Sequence, residues 1–231
     1  MTDHHATTPA PTAFAAPALH VYIVDDDEGV RHSLAALLLA GGHVAEPFES
    51  GADFLAHADL SRPGCVLLDL RMDGMSGLQV FEAMRQRGTV LKTVFLSAHG
   101  ELASAVTAVK QGAVDWLEKP CDEATLLAAV HRAATLSAQV AAHTQRRTQL
   151  LERWNALSPR QQEVARLLAT GISSKEAARA MAQRDPERPI DPRTVDTHRS
   201  AIFLKLDIRS SHELGMLVED LGLSGSPART Q

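Results

Sequence analysis

The chain has 231 residues, 45% of them hydrophobic, which is room for two ordinary domains and a poor fit to one oversized domain. No apolar run is long enough to cross a bilayer, and Cys65 and Cys121 stand alone without metal-ligand spacing, which argues against a disulfide framework or a zinc site. The net charge of −5 hides an asymmetry: residues 1–150 hold 11 Lys/Arg against 17 Asp/Glu and residues 151–231 hold 12 against 11, so charge alone marks neither half for nucleic acid.

Met1–Leu19 is rich in Ala, Thr and Pro, lacks the basic start and apolar core of a secretory signal, and is read as a disordered extension; a cytoplasmic location is expected. The first half then alternates strand and helix. A strand at 21–24 leads to a helix over Glu28–Ala40, whose Val30, Leu34, Leu37 and Leu38 have helical spacing and which stops at Gly41-Gly42. A weaker strand covers 43–47 and a short helix 51–57. Strand 65–69 leads through an irregular loop to a helix over 76–86. Strand 92–97, a helix over 101–111 and a strand at 114–117 complete a five-stranded (βα)₅ α/β unit. From Asp122 the pattern stays helical for an unusual distance. Leu126, Leu127 and Val130 suit a core, whereas 131–149 is rich in Ala, Gln, His and Arg and reads as a helical linker, here a lever, a coiled-coil contact or a spacer.

Four of the strands end in polar residues. They are Val21-Tyr-Ile-Val-Asp-Asp-Asp27, Cys65-Val-Leu-Leu-Asp69, Val94-Phe-Leu-Ser97 and Asp115-Trp-Leu-Glu-Lys-Pro120. Short apolar runs of this kind suit parallel strands buried on both faces, and groups beyond the carboxyl ends of such strands line the ligand crevice. Asp25, Asp26, Asp69, Ser97 and Lys119 would therefore meet at one end of one sheet. Crowded carboxylates repel, and a hard cation such as Mg²⁺ relieves the conflict while keeping several of its waters. Lys119 can hold a phosphoryl oxygen as a point charge, Ser97 offers a hydroxyl, and Asp69 can act as a nucleophile that becomes an aspartyl phosphate. Any one strand-end Asp is more often a cap or loop start; the four occurring together carry the inference.

These residues identify the first half as similar to a receiver domain of a two-component response regulator. The resemblance rests on Asp25/Asp26, on Asp69 within Leu67-Leu-Asp-Leu-Arg-Met-Asp-Gly-Met-Ser-Gly77, on Ser97-Ala98, and on Lys119-Pro120. It implies strand order 2-1-3-4-5, a cis Lys119-Pro120 bond, and Mg²⁺ held by Asp26, Asp69 and the backbone carbonyl of Arg71, with Asp25 supporting through water. It also implies that Asp69 is the phosphoacceptor and that Ser97 and Trp116 form the switch, although Trp116 equally suits a half-buried strand aromatic. Arg71 and His99 flank the site.

Beyond the linker, Leu157-Ser-Pro-Arg-Gln161 is a helix start: Ser158 can cap, Pro159 suits the first position, and Gln161 sits where a capping box needs it. That helix runs to 169 with Val164, Leu167 and Leu168 on one face, and an Ala-rich helix covers 173–182. Asp191-Pro192 opens a third helix to 206, with Val195, Ile202 and Leu206 inward and Arg193, Thr194, Asp196, Thr197, Arg199 and Ser200 outward. A fourth helix covers 211–221. Such a set suits a helix-turn-helix module or a small helical interaction domain. Leu157–Gly171, Ser174-Lys-Glu-Ala-Ala178, Pro192-Arg-Thr-Val-Asp-Thr-His-Arg199, Lys205-Leu206 and Arg209–Leu214 resemble the LuxR-type DNA-binding domain, which makes the whole chain similar to FixJ/NarL-class regulators.

That resemblance implies that Asp196, Thr197 and Ser200 approach base edges, that Arg193, Thr194, His198, Arg199 and Lys205 neighbour the phosphates, and that the last helix aids dimerisation. One departure stands out: Gln183–Pro189 lengthens the turn before the third helix, and deleting it tests whether it alters operator preference. The organisation expected is an extension over 1–19, a receiver over 20–135, a linker over 136–153, a DNA-binding domain over 154–223 and a disordered tail over 224–231. The function implied is a phosphorylation-controlled transcription regulator that is not an enzyme. Its partners would be a sensor histidine kinase, double-stranded promoter DNA, a second copy upon phosphorylation and RNA polymerase, with no membrane. The competing readings are a signalling adaptor whose helical domain binds protein or RNA, and a phosphohydrolase. The latter is disfavoured because Arg71, not a second Asp, stands two residues after Asp69.

Overall fold

The computed structural model describes residues 18–98 and 108–224. The expected extension through residue 17, His99, most of the helix expected over 101–111, and residues 225–231 lie outside the described residues. The chain divides into two units, Met1–Ala141 and Ala142–Gln231.

In the first unit five parallel strands form one sheet in the order β2-β1-β3-β4-β5. They are β1 His20–Val24, β2 Val44–Phe48, β3 Cys65–Asp69, β4 Lys92–Ser97 and β5 Asp115–Glu118. The sheet is buried on both sides, as its apolar runs require. Tyr22, Val24, Leu68 and Phe95 enter one core, and Ile23, Leu67, Val94 and Leu96 enter the other. β2 and β5 each sit one residue later than expected from sequence. Ladder pairing with β1 and β4 sets their limits, and the local pattern of these edge strands does not reveal it.

Side-chain caps start the helices α1 Glu28–Ala40, α2 Gly51–His57 and α3 Gly77–Gln86. Asp27 accepts from the Val30 N–H, Ser50 from Asp53, and Ser76 and Gln79 close a capping box. Of the apolar stripe expected on α1, Leu38 is buried and Val30, Leu34 and Leu37 are half-buried. Gly77 answers to a close approach: a Cβ there would lie 2.2 Å from the Asp69 carbonyl oxygen. Only glycine lets α3 begin this near the end of β3.

A single helix, α4 Glu123–Asn155, continues through the segment expected as linker. Within the first unit its Leu126, Ala129, Val130 and Ala133 join the sheet core. Ser137 is fully buried, where its hydroxyl accepts from the Gly64 N–H at 2.9 Å and donates to the Val90 carbonyl at 2.7 Å. Within the second unit Trp154 is buried in the helical core, with Leu150 and Leu151 packed beside it.

The second unit adds α5 Pro159–Ala169, α6 Ser174–Arg184, α7 Pro192–Leu206 and α8 Ser211–Asp220. Ser158–Gln161 and Ser173–Glu176 form capping boxes, and Asp191 caps α7 ahead of Pro192. α6 runs two residues past the expected end at 182, so Gln183 and Arg184 are helical rather than loop. Asp185, held out of the helical region at φ −137°, ψ 83°, ends it, and the proline at 186 imposes that geometry on the residue before it. The shorter connection that remains is anchored. Arg160 donates to the Arg188 carbonyl at 2.8 Å, and Ile190 packs on the core.

Candidate phosphoacceptor site and nucleic-acid interface

The strand order brings the ends of β1 and β3 side by side, and the turn after β5 places Lys119 over them. Its ammonium donates to Asp25 Oδ2 at 2.6 Å and to Asp69 Oδ1 at 2.5 Å. Asp25 and Asp69 are buried, whereas Lys119 keeps partial access to water. The remaining carboxylate oxygens accept backbone N–H groups: Asp25 Oδ1 from Asp27 at 3.0 Å and Asp69 Oδ2 from Arg71 at 2.8 Å. Arg31 holds the Asp25 carbonyl at 2.8 Å. Ser97 ends β4 fully buried, and its carbonyl accepts the Lys119 N–H at 2.7 Å. The Lys119-Pro120 peptide is cis.

Asp26 behaves differently from its neighbour. It is exposed, and its Oδ2 accepts the Asp73 N–H from the loop after β3 at 3.0 Å. The structure thus gathers Asp25, Asp69 and Lys119, with Ser97 at the adjacent strand end, and ties Asp26 to the loop before α3. The Asp73 contact was not foreseen from sequence; no spacing rule links positions 47 residues apart. Trp116 is half-buried against the core, with its ring 5.3 Å from that of Phe95.

Electrostatics sharpen the picture. Burial pushes the Asp69 carboxyl above the usual carboxylate range, and the Asp25 charge adds to this; the Lys119 hydrogen bond and charge pull the other way. Burial depresses Lys119, but hydrogen bonds and charge from Asp25 and Asp69 overcome it and the net shift is upward. One ammonium shared by two buried carboxylates leaves a net-negative basin of hard oxygen donors, a set that fits a divalent oxygen-seeking cation. Among the described residues no three His, Cys, Asp or Glu side chains form a protein-only metal cage. Mg²⁺, which takes one or two carboxylates and keeps several of its waters, suits such a donor set.

In the second unit, Val195, Ile202 and Leu206 of α7 are buried, and Arg193, Thr194, Asp196, Thr197 and Ser200 are exposed. Thr194 bonds to Asp191, Thr197 to the Arg193 carbonyl and Ser200 to the Asp196 carbonyl. Asp196 Oδ1 accepts from the Ser174 hydroxyl of α6 at 2.5 Å, a contact the sequence did not signal. His198 and Arg199 are half-buried, the latter with its guanidinium 5.2 Å from the Phe203 ring. Lys205, expected near phosphate, spends its ammonium on the Ala156 carbonyl and Gln161 Oε1, both at 3.1 Å. It lies at the end of α7 where α4 and α5 meet, and these acceptors are close by.

Two family models match the chain: the response regulator receiver domain over residues 21–131, and the bacterial regulatory proteins of the luxR family over 155–218. The tetrathionate response regulatory protein TtrR of Salmonella typhimurium is 37% identical over 210 residues, covering 91% of this chain and 97% of that protein. The transcriptional regulatory protein FixJ of Azorhizobium caulinodans is 36% identical over 85% of this chain and 90% of its own length. Among solved structures, the response regulator StyR aligns with a TM-score of 0.76 at 35% identity, covering 87% of this chain and 98% of StyR. With the acidic pair, the strand-end aspartate, the lysine and the capped helices now in place, the chain belongs to the two-component response regulators that couple a receiver domain to a LuxR-type DNA-binding domain in transcription regulation.

Proposed function

We propose that this regulator is switched by phosphorylation of Asp69 by a partner sensor histidine kinase. The observation that carries the reading is the Lys119 ammonium bridging the buried carboxylates of Asp25 and Asp69 at the strand ends. An Asp69 carboxylate oxygen attacks phosphorus as the bond to the kinase imidazole breaks. Lys119 then exchanges a carboxylate partner for a phosphoryl oxygen, and the Arg71 N–H holds the aspartate in place. Asp26, Asp69 and the Arg71 carbonyl, with Asp25 behind them, would hold Mg²⁺, which supplies charge neutralisation for the phosphoryl oxygens. Ser97 and Trp116 report the loaded state along β4 and β5. The second unit then pairs with another copy, with α8 contributing, and sets α7 into promoter DNA where RNA polymerase is engaged.

The test is a gel shift on the protein's own promoter region with a small phosphoryl donor and Mg²⁺, alongside intact-mass spectrometry. A single phosphoryl adduct that raises affinity, both lost in Asp69→Ala with the melting temperature retained, is the expected result. An adduct on another residue, or equal binding by Asp69→Ala, would sink the switch.

A further inference from the structure

We infer that Asp196, oriented by Ser174, is a specificity-determining residue that reads a cytosine amino group in the major groove. The inference rests on α7 being the DNA-reading helix, as proposed above. Asp196 is exposed on the outward face of α7, among Arg193, Thr197 and Ser200. An acidic side chain there needs a reason, because DNA phosphates repel it. Arg193 and Arg199 stand three residues to either side, within pairing reach on a helix. Neither takes it: the hydrogen-bond partner of the carboxylate is Ser174 of α6, and Arg199 lies over Phe203.

That bond does two things. It fixes the carboxylate across the α6–α7 contact rather than leaving it to swing on the surface, and it occupies Oδ1. Oδ2 remains as a positioned acceptor. The adjoining hydroxyls have the same character. Thr194, Thr197 and Ser200 each donate into their own cap or helix backbone, so what they offer outward is a lone pair. A face made of acceptors matches base edges that donate. Guanine O6 and N7 and thymine O4 are acceptors and would repel Oδ2, and adenine sets N7 beside its amino group. Cytosine presents N4–H₂ without an adjoining acceptor on its own edge, and carboxylates are the side chains that accept from it.

The experiment selects operators from a randomised duplex pool with the full chain, with and without phosphoryl donor, for wild type, Asp196→Asn, Asp196→Ala and Ser174→Ala. Expected is one cytosine per half-site in the wild-type consensus whose preference falls about tenfold in Asp196→Ala. The preference should weaken at the same position in Ser174→Ala and Asp196→Asn, with other positions unchanged. Removing the charge should also leave affinity for random DNA equal or higher. Losses spread evenly over every position, or lower affinity for all sequences, would show a scaffold contact and overturn the inference. So would an unchanged consensus in Asp196→Ala. If wild type enriches no sequence at all, the DNA-reading role of α7 fails as well, which separates the two failures.

Discussion

Lys119 matters to the fold itself. Asp25 and Asp69 are held out of water within 2.6 Å of its ammonium, so deleting that charge strands two buried carboxylates. Breaking a fully buried pair costs about 3–5 kcal/mol. Lys119 keeps 27% of its side-chain surface in contact with water, so we expect about 2 kcal/mol for Lys119→Met. The loss should depend on pH. Burial raises Asp69 above its unfolded-state value, so the folded state retains the proton longer. Stability is then highest below the ordinary carboxylate range and declines as pH rises through the folded-state value. Without the lysine that value climbs further, so urea melts of Lys119→Met should show a larger deficit at pH 7.5 than at pH 5. An equal deficit at both would mean that the lysine acts through packing alone.

Two helix ends decide how the sites are held. α3 begins where a Cβ on residue 77 would lie 2.2 Å from the Asp69 carbonyl. Gly77→Ala must therefore push α3 or the end of β3 aside, at an overpacking cost of about 1–3 kcal/mol. It should also slow phosphoryl uptake from a small donor, and wild-type uptake in a destabilised Gly77→Ala would reject that link. In the second unit, Arg153 of α4 donates to the Leu206 carbonyl at 3.3 Å and pairs with Asp207 at 3.5 Å, closing the C-terminus of α7. Arg147 does the same for α8 at the Asp220 carbonyl, at 2.8 Å. Cations at helix C-termini stabilise by a few tenths to about 1 kcal/mol, so Arg153→Ala should lower the melting temperature of the helical unit by a few degrees. On the proposed role of α7 in DNA, it should also weaken operator binding, since that helix loses its rear anchor. Gel shifts alongside calorimetry check both, and wild-type binding would reject the anchoring role.

Among the described residues the sheet carries a core on each face, and the second unit has its own around Trp154 and the short helices. With Mg²⁺ proposed for the receiver and DNA for the helical unit, the two units should melt as two transitions. Mass action then requires Mg²⁺ to raise only the receiver transition and operator DNA only the helical one. A single transition moved by both ligands would mean that the cores unfold as one. Much of this was legible in the residues. Apolar runs ending in Asp25, Asp69, Ser97 and Lys119 spelled a buried parallel sheet, and Ser158 and Asp191 announced their helices, because both signals are local and carried by side-chain type. Long-range partners were not. The Asp26–Asp73 tie, the Ser174–Asp196 bond and the contacts of Lys205 with Ala156 and Gln161 join residues that no periodicity relates. Sequence determines where an acid or a lysine stands on its own strand or helix. Which neighbour it meets is chosen when the elements pack, because hydrogen-bond partners across a fold are selected by geometry over a few ångströms that no local pattern encodes.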